Sequence, residues 1–348
     1  MQDERFAPPE PPGVVPVKAL PIWRYVVIAI LLVGLAGAAI FIPIPVVFLY
    51  VPGPIRDAED LVHASDATTY SSEGSLYMTT VSVDTSVTFM EVVFAWFDPE
   101  QDVVMREQVT GGQSLQELRV AQRAEMRASQ NSATQVALGQ LGIDRPTGRG
   151  AEIVRAIQGS PAHEVLRPND VIIEIDGDPV QTTCDVGSRL GEKEAGDRIA
   201  ITFDRAGSRR EAEVTLAQSP FGPGAFLGVE MKTVDFSFEP GIDVDFETGR
   251  IAGPSAGLML SLALYDQLTP EDLTSGRQIA GTGTLGCDGD VGPIGGIRQK
   301  VAAARAEGAE IFLAPEGNVE EARSIGDGIE IVPVATFAQA LGYLSGLE

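Results

Sequence analysis

The chain has 348 residues, 44% of them hydrophobic and 21% charged, with a formal net charge of −24 from 49 acidic and 25 basic side chains. The length accommodates about two or three domains, and the acidic excess argues against a nucleic-acid partner, because phosphate binding needs a basic face. The two cysteines, Cys184 and Cys287, fall in different expected domains and neither support nor exclude an oxidising compartment; no zinc-type Cys/His spacing occurs, and no metal or other cofactor is expected.

Residues 1–22 are expected to be a cytoplasmic N-terminus and residues 23–50 a transmembrane anchor. No charged residue occurs over 25–55, and the run "YVVIAILLVGLAGAAIFIPIPVVFLY" exceeds the ~20 apolar residues that a bilayer requires. Arg5, Lys18 and Arg24 precede the run and only Arg56 follows it before Arg106, so the positive-inside rule places the later domains outside the cytoplasm. Ala36-Gly37-Ala38 resembles a signal-peptidase site, but the apolar run continues past it, which favours a retained anchor. A buried core helix fits less well, since the run has no polar face.

Residues 51–136 read as a linker and a small structural region. "VPGPIRDAEDLVHASDATTYSSEG" is polar and turn-rich, "SLYMTTVSV" alternates as a strand does, and residues 114–138 contain a helix-like segment. None of this carries recognisable chemistry.

Residues 137–218 hold short β-prone runs, "GAEIVRAI", "DVIIEIDG", "DRIAITFDRAG" and "REAEVTL", separated by turn residues that include the Asp176-Gly177 hairpin signal. With "SPAHEVL" and "CDVGSRLGEKE" as short helices between them, the order resembles a bacterial PDZ domain, most specifically in "GSPAHEVLRPNDVIIEIDGDPV". Asn169-Asp170 stands where that motif usually has Gly-Asp. The resemblance implies that an extended peptide adds to the sheet edge while loop amides hold its terminal carboxylate. Leu141, Gly142 and Ile143 of "QLGI" are the candidate loop; the alternative is that Gly142 merely ends the preceding helix.

In residues 219–348, "IAGPSAGLMLSLAL" sets Ser255 before a helix expected over 256–268, with Leu258, Met259 and Leu262 on one apolar face. Ser255 could cap that helix, and the same free amides and dipole that favour a cap would also stabilise an oxyanion. A nucleophile needs a base. His63 and His163 both lie outside this region, and only Lys232 and Lys300 follow residue 220, which excludes a Ser-His-Asp triad within it. Lys300, in "GGIRQKVAAARAEGAE", falls on the stripe of Ile297, Val301 and Ala304, where burial would lower its pKa. Its stem could instead snorkel to water.

"GPSAG" around Ser255 and the lysine of "GPIGGIRQK" 300 − 255 = 45 positions later, with "AGTGTLGCDGDVGPIGG" between them and "GAEIFLAPEGN" after them, resemble the proteolytic domain of Lon-type Ser–Lys proteases. The resemblance implies that Ser255 is the nucleophile, Lys300 the general base and Thr282 the hydroxyl that orients the lysine, with Gly253, Pro254 and Ala256 supporting the serine. It also implies a hexameric assembly. Ala252 stands where many Lon proteases have an acidic residue. The GxGxxG match of residues 281–286 leads into a turn and not into a helix, and no GxxxxGK[ST] loop occurs, so the expected activity is ATP-independent and directed at flexible or unfolded proteins. The expected fold is therefore multidomain: an N-terminal transmembrane helix, a PDZ-like β-rich domain and an α+β Lon-type proteolytic domain. A PDZ-based scaffold with an inactive protease fold is the alternative.

Overall fold

Five short segments pair into one sheet in the computed structural model, which describes residues 21–39, 42–112, 114–143, 147–218, 225–236 and 242–347. Its five strands run in the order Arg56–Asp57, Ser75–Met78, Gln278–Gly281, Ile311–Pro315, Glu330–Val334; the first pair is antiparallel and the rest are parallel. A parallel sheet has to be covered on both faces, and the period-2 alternation sorts the side chains accordingly. Leu76, Met78, Ile279, Leu313 and Val332 face the helix Gly257–Gln267. Tyr77, Ala280, Phe312 and Ala314 face the helices Ile297–Glu307 and Val319–Arg323.

The helix after Ser255 differs from its expected form. It begins at Gly257, with Ala256 in the capping position and no side-chain cap, so Ser255 does not cap it. It is buried on every side: a long helix, Leu115–Gln140, covers its outer face and contributes Met126, Ala133 and Ala137 to the same core. Gly257 lets the two helices approach, since a Cβ there would lie 2.9 Å from Ser129 Oγ of the long helix.

Residues 51–136 are accordingly no linker. They provide the long helix and two strands of the main sheet, and Val62–Ser65 pairs with Asp243–Phe246 from beyond the β-rich domain. The run "SLYMTTVSV" divides at Thr79-Thr80 into strands of different sheets, because Thr79 Oγ1 donates to the Gly281 carbonyl while Thr80 Oγ1 donates to that of Pro54. The α/β domain is thus assembled from chain on both sides of the β-rich domain, and the expectation of a self-contained unit over 219–348 gives way to an insertion.

The N-terminal apolar run also divides. A helix covers Ile22–Ala39 and contains the Ala36-Gly37-Ala38 step, but Val47–Pro52 is the middle strand of a three-stranded sheet with Val81–Asp84 and Asp102–Met105. Pro43 and Pro45 interrupt the helical pattern, and Phe48 and Leu49 are buried in protein. The expected span of 23–50 is therefore too long at its C-terminal end. Among the described residues, no helix is long and apolar enough to cross a membrane. Residues 1–20 of the expected cytoplasmic terminus lie outside the described residues.

The inserted domain is an antiparallel sheet in the order Ser208–Thr215, Arg198–Arg205, Val171–Ile175, Ala151–Ala156, Val229–Thr233, flanked by the helix Thr183–Gly191. It has its own core, including Ile153, Ile172, Val186 and Ile201. Asn169 adopts φ 69°, the left-handed conformation that Asn tolerates better than most residues, which accounts for its replacing glycine. The expected limits of 137–218 shift, since 137–140 end the long helix and Val229–Thr233 completes the sheet.

The dependence on distant strands is testable. A fragment of residues 219–348 lacks the long helix and two sheet strands and should show no cooperative thermal transition. In the full chain, Leu76→Ala, at a position fully buried in the sheet, should lower the stability of the α/β domain by about 2–5 kcal/mol in urea titration. A cooperative melt of the fragment would contradict this architecture.

Candidate active site

Thr282 immediately follows the central strand Gln278–Gly281, at the strand's carboxyl end, where the helices on the two faces of the sheet converge. One face brings Ser255 on the loop before Gly257–Gln267, and the other brings Lys300 from the first turn of Ile297–Glu307. Lys300 Nζ lies 2.6 Å from Ser255 Oγ and 2.8 Å from Thr282 Oγ1. Thr282 Oγ1 donates to the Ser255 carbonyl at 3.0 Å, and the Gly283 N–H donates to the same carbonyl at 3.0 Å. Because the threonine proton is engaged there, its oxygen accepts an N–H of the lysine. The amine thereby directs its remaining capacity at Ser255 Oγ.

Lys300 is 3% exposed, so its stem does not snorkel to water. Burial pushes the amine down to about 7, since the charged form loses its hydration and its two bonded partners are neutral hydroxyls. A primary amine with that pKa is neutral in a large fraction of molecules near pH 7 and can take a proton from a serine.

The long helix secures the serine loop. The Gly253 N–H donates to the Gln122 carbonyl at 2.9 Å, and Ser129 Oγ donates to the Pro254 carbonyl at 3.0 Å; these partners are 129 − 122 = 7 positions apart, two turns along one helix face. Gln122 and Ser129 escaped the sequence reading because nothing local marks them. Ala256 is buried and Ala252 is exposed. The N–H groups of Ala256 and Gly257 have no partner among the described residues. A cavity of about 820 Å³ opens beside the dyad and is lined by residues from four parts of the chain, among them Tyr50, Arg56, Met78, Met126, Arg250, Ser255 and Lys300. Lys232, the other lysine after residue 220, lies in the inserted domain, 3.0 Å from Glu152. Among the described residues, no cluster of three or more His, Cys, Asp and Glu could hold a metal ion.

The expected carboxylate loop is corrected. The Leu141 N–H donates to Ala137 and Leu138 carbonyls, that of Gly142 to Gly139, and that of Ile143 to Leu138, while Gly142 adopts φ 73°. This is a helix C-terminus closing on itself, and it leaves no amide for a ligand. The sheet has two edges, Ser208–Thr215 and, beside the helix Thr183–Gly191, Val229–Thr233. At its start the Leu227 and Gly228 amides have no partner among the described residues. Gly228 has φ 79°, and a Cβ there would collide with Ser160. The sequence signal was present in "FLGV", a glycine between apolar residues before a strand, but it lies beyond the expected domain limit.

The Lon protease (S16) C-terminal proteolytic domain model matches residues 234–343, and the PDZ domain model matches residues 124–216. The chain carries a PDZ domain and a Lon-type proteolytic domain. Lon protease of Rhizobium meliloti (strain 1021) is 24% identical over 213 residues, covering 52% of this chain and 26% of that protein. Lon protease 2 of Bacillus subtilis (strain 168) is 35% identical over 114 residues, covering 32% of this chain and 19% of that protein. The chain thus spans about a fifth to a quarter of the length of these relatives. The PDZ domain of the SdrC-like protein from Listeria monocytogenes is 23% identical and covers 24% of this chain and 90% of its own, with a TM-score of 0.23. The PDZ match stops before the edge strand Val229–Thr233, and the Lon match omits the strands and long helix that precede the PDZ domain.

The buried amine makes a stability prediction. In the unfolded chain the lysine has a pKa of about 10.4, so between about pH 7 and pH 10 the unfolded state binds the extra proton and stability rises with pH. Below about pH 7 the folded state holds a buried ammonium at full cost. Lys300→Met should therefore stabilise the protein by about 1–2 kcal/mol at pH 6, with the gain shrinking toward pH 10. Urea midpoints at pH 6 and pH 9.5 measure it, and destabilisation at pH 6 would contradict the assignment.

Proposed function

We propose that this protein is an ATP-independent serine endopeptidase acting through a Ser255–Lys300 dyad on flexible or unfolded proteins. The 2.6 Å approach of a buried amine to Ser255 Oγ carries the reading. Neutral Lys300 takes the serine proton as Oγ attacks the peptide carbonyl, the Ala256 and Gly257 amides at the helix start receive the oxyanion, and the ammonium then protonates the leaving amine. Water, deprotonated by the same lysine, hydrolyses the acyl-enzyme. A scaffold has no use for a lysine stripped of its hydration, so the inactive alternative leaves this geometry without a cause.

Substrates dock as an added strand on Val229–Thr233, with the free amides of Leu227 and Gly228 receiving a terminal carboxylate. The domains act outside the cytoplasm, held at a membrane by the N-terminal segment. Supporting this are the charge-free run and the basic residues before it, the exposed Trp23, Ile30 and Leu31 on the helix Ile22–Ala39, and the Cys184–Cys287 disulfide, a bond favoured in oxidising compartments. Hexameric assembly, implied by the Lon-type domain, belongs to the same proposal and is measurable by sedimentation.

With an unfolded casein-like substrate, Ser255→Ala, Lys300→Ala and Lys300→Arg should each lower the rate at least about 1000-fold, the last because guanidinium stays protonated. Thr282→Ala, which leaves the lysine without its hydroxyl partner, should lose about 10–100-fold. The wild-type rate should rise with pH through about 7 as Lys300 loses its proton. Near-normal cleavage by Lys300→Arg would refute the dyad. At the PDZ edge, a peptide with a free C-terminus should bind at least about tenfold more tightly than its amide, and equal affinities would remove the carboxylate role of Leu227 and Gly228.

A further inference from the structure

Cys184 and Cys287 are bonded across the two domains, with Cα atoms 5.5 Å apart, within the ordinary disulfide range. Cys184 is in the first turn of Thr183–Gly191, the helix beside the open PDZ edge. Its neighbour Thr183 is tied to the end of that edge, where the Thr183 N–H and hydroxyl lie 3.1 and 3.2 Å from Thr233 Oγ1. Cys287 lies in the turn between the strands Thr284–Leu285 and Val291–Gly292, five positions beyond Thr282. Gln135 Nε2 donates to its carbonyl at 3.4 Å, and Ser132 Oγ lies 3.6 Å from its sulfur. Ser132 and Gln135 belong to the long helix that also holds the serine loop through Gln122 and Ser129. A single covalent bond therefore connects the peptide-docking edge, through one helix and one turn, to the segment that positions the lysine. Both cysteines are partly exposed, within reach of a small reductant.

We propose that the Cys184–Cys287 disulfide is a redox-operated clasp between the PDZ groove and the catalytic loop. Oxidised, it fixes the groove helix to residues 282–287, so a peptide on Val229–Thr233 is held at a set distance from Ser255. A dithiol reductant opens it by exchange: one thiolate attacks a cysteine sulfur, a mixed disulfide forms, and the second thiolate resolves it. Two electrons and two protons pass to the protein, leaving two cysteine thiols and the reductant's own disulfide. Reduced, the PDZ domain is joined to the protease through its chain connections and non-covalent contacts alone. Presentation of substrate rests on the docking edge proposed above; the mechanical link to the catalytic loop does not.

The test uses the full chain in oxidised form, after dithiothreitol, and as Cys184→Ser with Cys287→Ser. Alkylation under denaturing conditions should find no free thiol in the oxidised protein and two after reduction; two free thiols in protein isolated from an oxidising compartment would overturn the clasp. Without any ligand, amide exchange of residues 282–287 should be about tenfold faster in the reduced and double-serine proteins than in the oxidised one, and equal exchange would overturn it. Reduced wild type serves where the double variant folds poorly. Ser255→Ala should show the same redox difference, so loss of cleavage in every form would sink the protease reading while leaving the clasp standing. In active protein, reduction should lower turnover of an unfolded protein with a free C-terminus about tenfold more than turnover of a short peptide unable to span both sites. An equal change in the two would refute its role in presentation.

Discussion

A lysine amine in water is protonated at neutral pH, and the packing of the proteolytic domain keeps Lys300 out of water. The sheet's central strand ends at Thr282, the lysine arrives from the helix layer on one face, and the serine arrives from the layer on the other. Only at the end of a covered parallel strand do the two layers meet. There, among the described residues, two hydroxyl groups and no carboxylate meet the amine, so the loss of hydration favours the neutral form.

The serine side of the dyad is held by backbone bonds. Two donors fix the Ser255 carbonyl, and the long helix holds Gly253 and Pro254, the two residues before the serine, through Gln122 and Ser129. That helix comes from the chain before the PDZ domain. The strand Ser75–Met78, which continues the sheet next to the central strand, does too. The catalytic domain is closed by a segment that precedes the insertion, and the PDZ domain sits within one folding unit whose two halves it separates along the chain. Its disulfide reaches a turn held by the same long helix.

The PDZ domain illustrates how one local pattern can serve two purposes. Leu141-Gly142-Ile143 and Leu227-Gly228-Val229 are both a glycine between apolar residues, and both glycines take positive φ. At the first, the amides close the end of a helix; at the second, they begin an edge strand and remain free of partners among the described residues. The difference lies in what each segment pairs with and is invisible in the residues themselves.

The sequence by itself marked Ser255 and Lys300 as candidates for one site and pointed, through its family resemblances, to two domain types. The lysine's place on an apolar helical stripe, the serine before a helix, and the lack of a histidine nearby are properties of single segments whose period and composition are legible. Tertiary structure decided the rest. It showed that residues 51–136 supply two strands of the protease sheet, that the N-terminal apolar run divides into a helix and a buried strand, that an edge strand of the PDZ sheet lies after residue 218, and that two cysteines 103 positions apart are bonded. The physical reason is common to all four. Periodicity records which face of an element is dry, whereas strand pairing and cross-links join groups whose sequence separation leaves no mark on either partner.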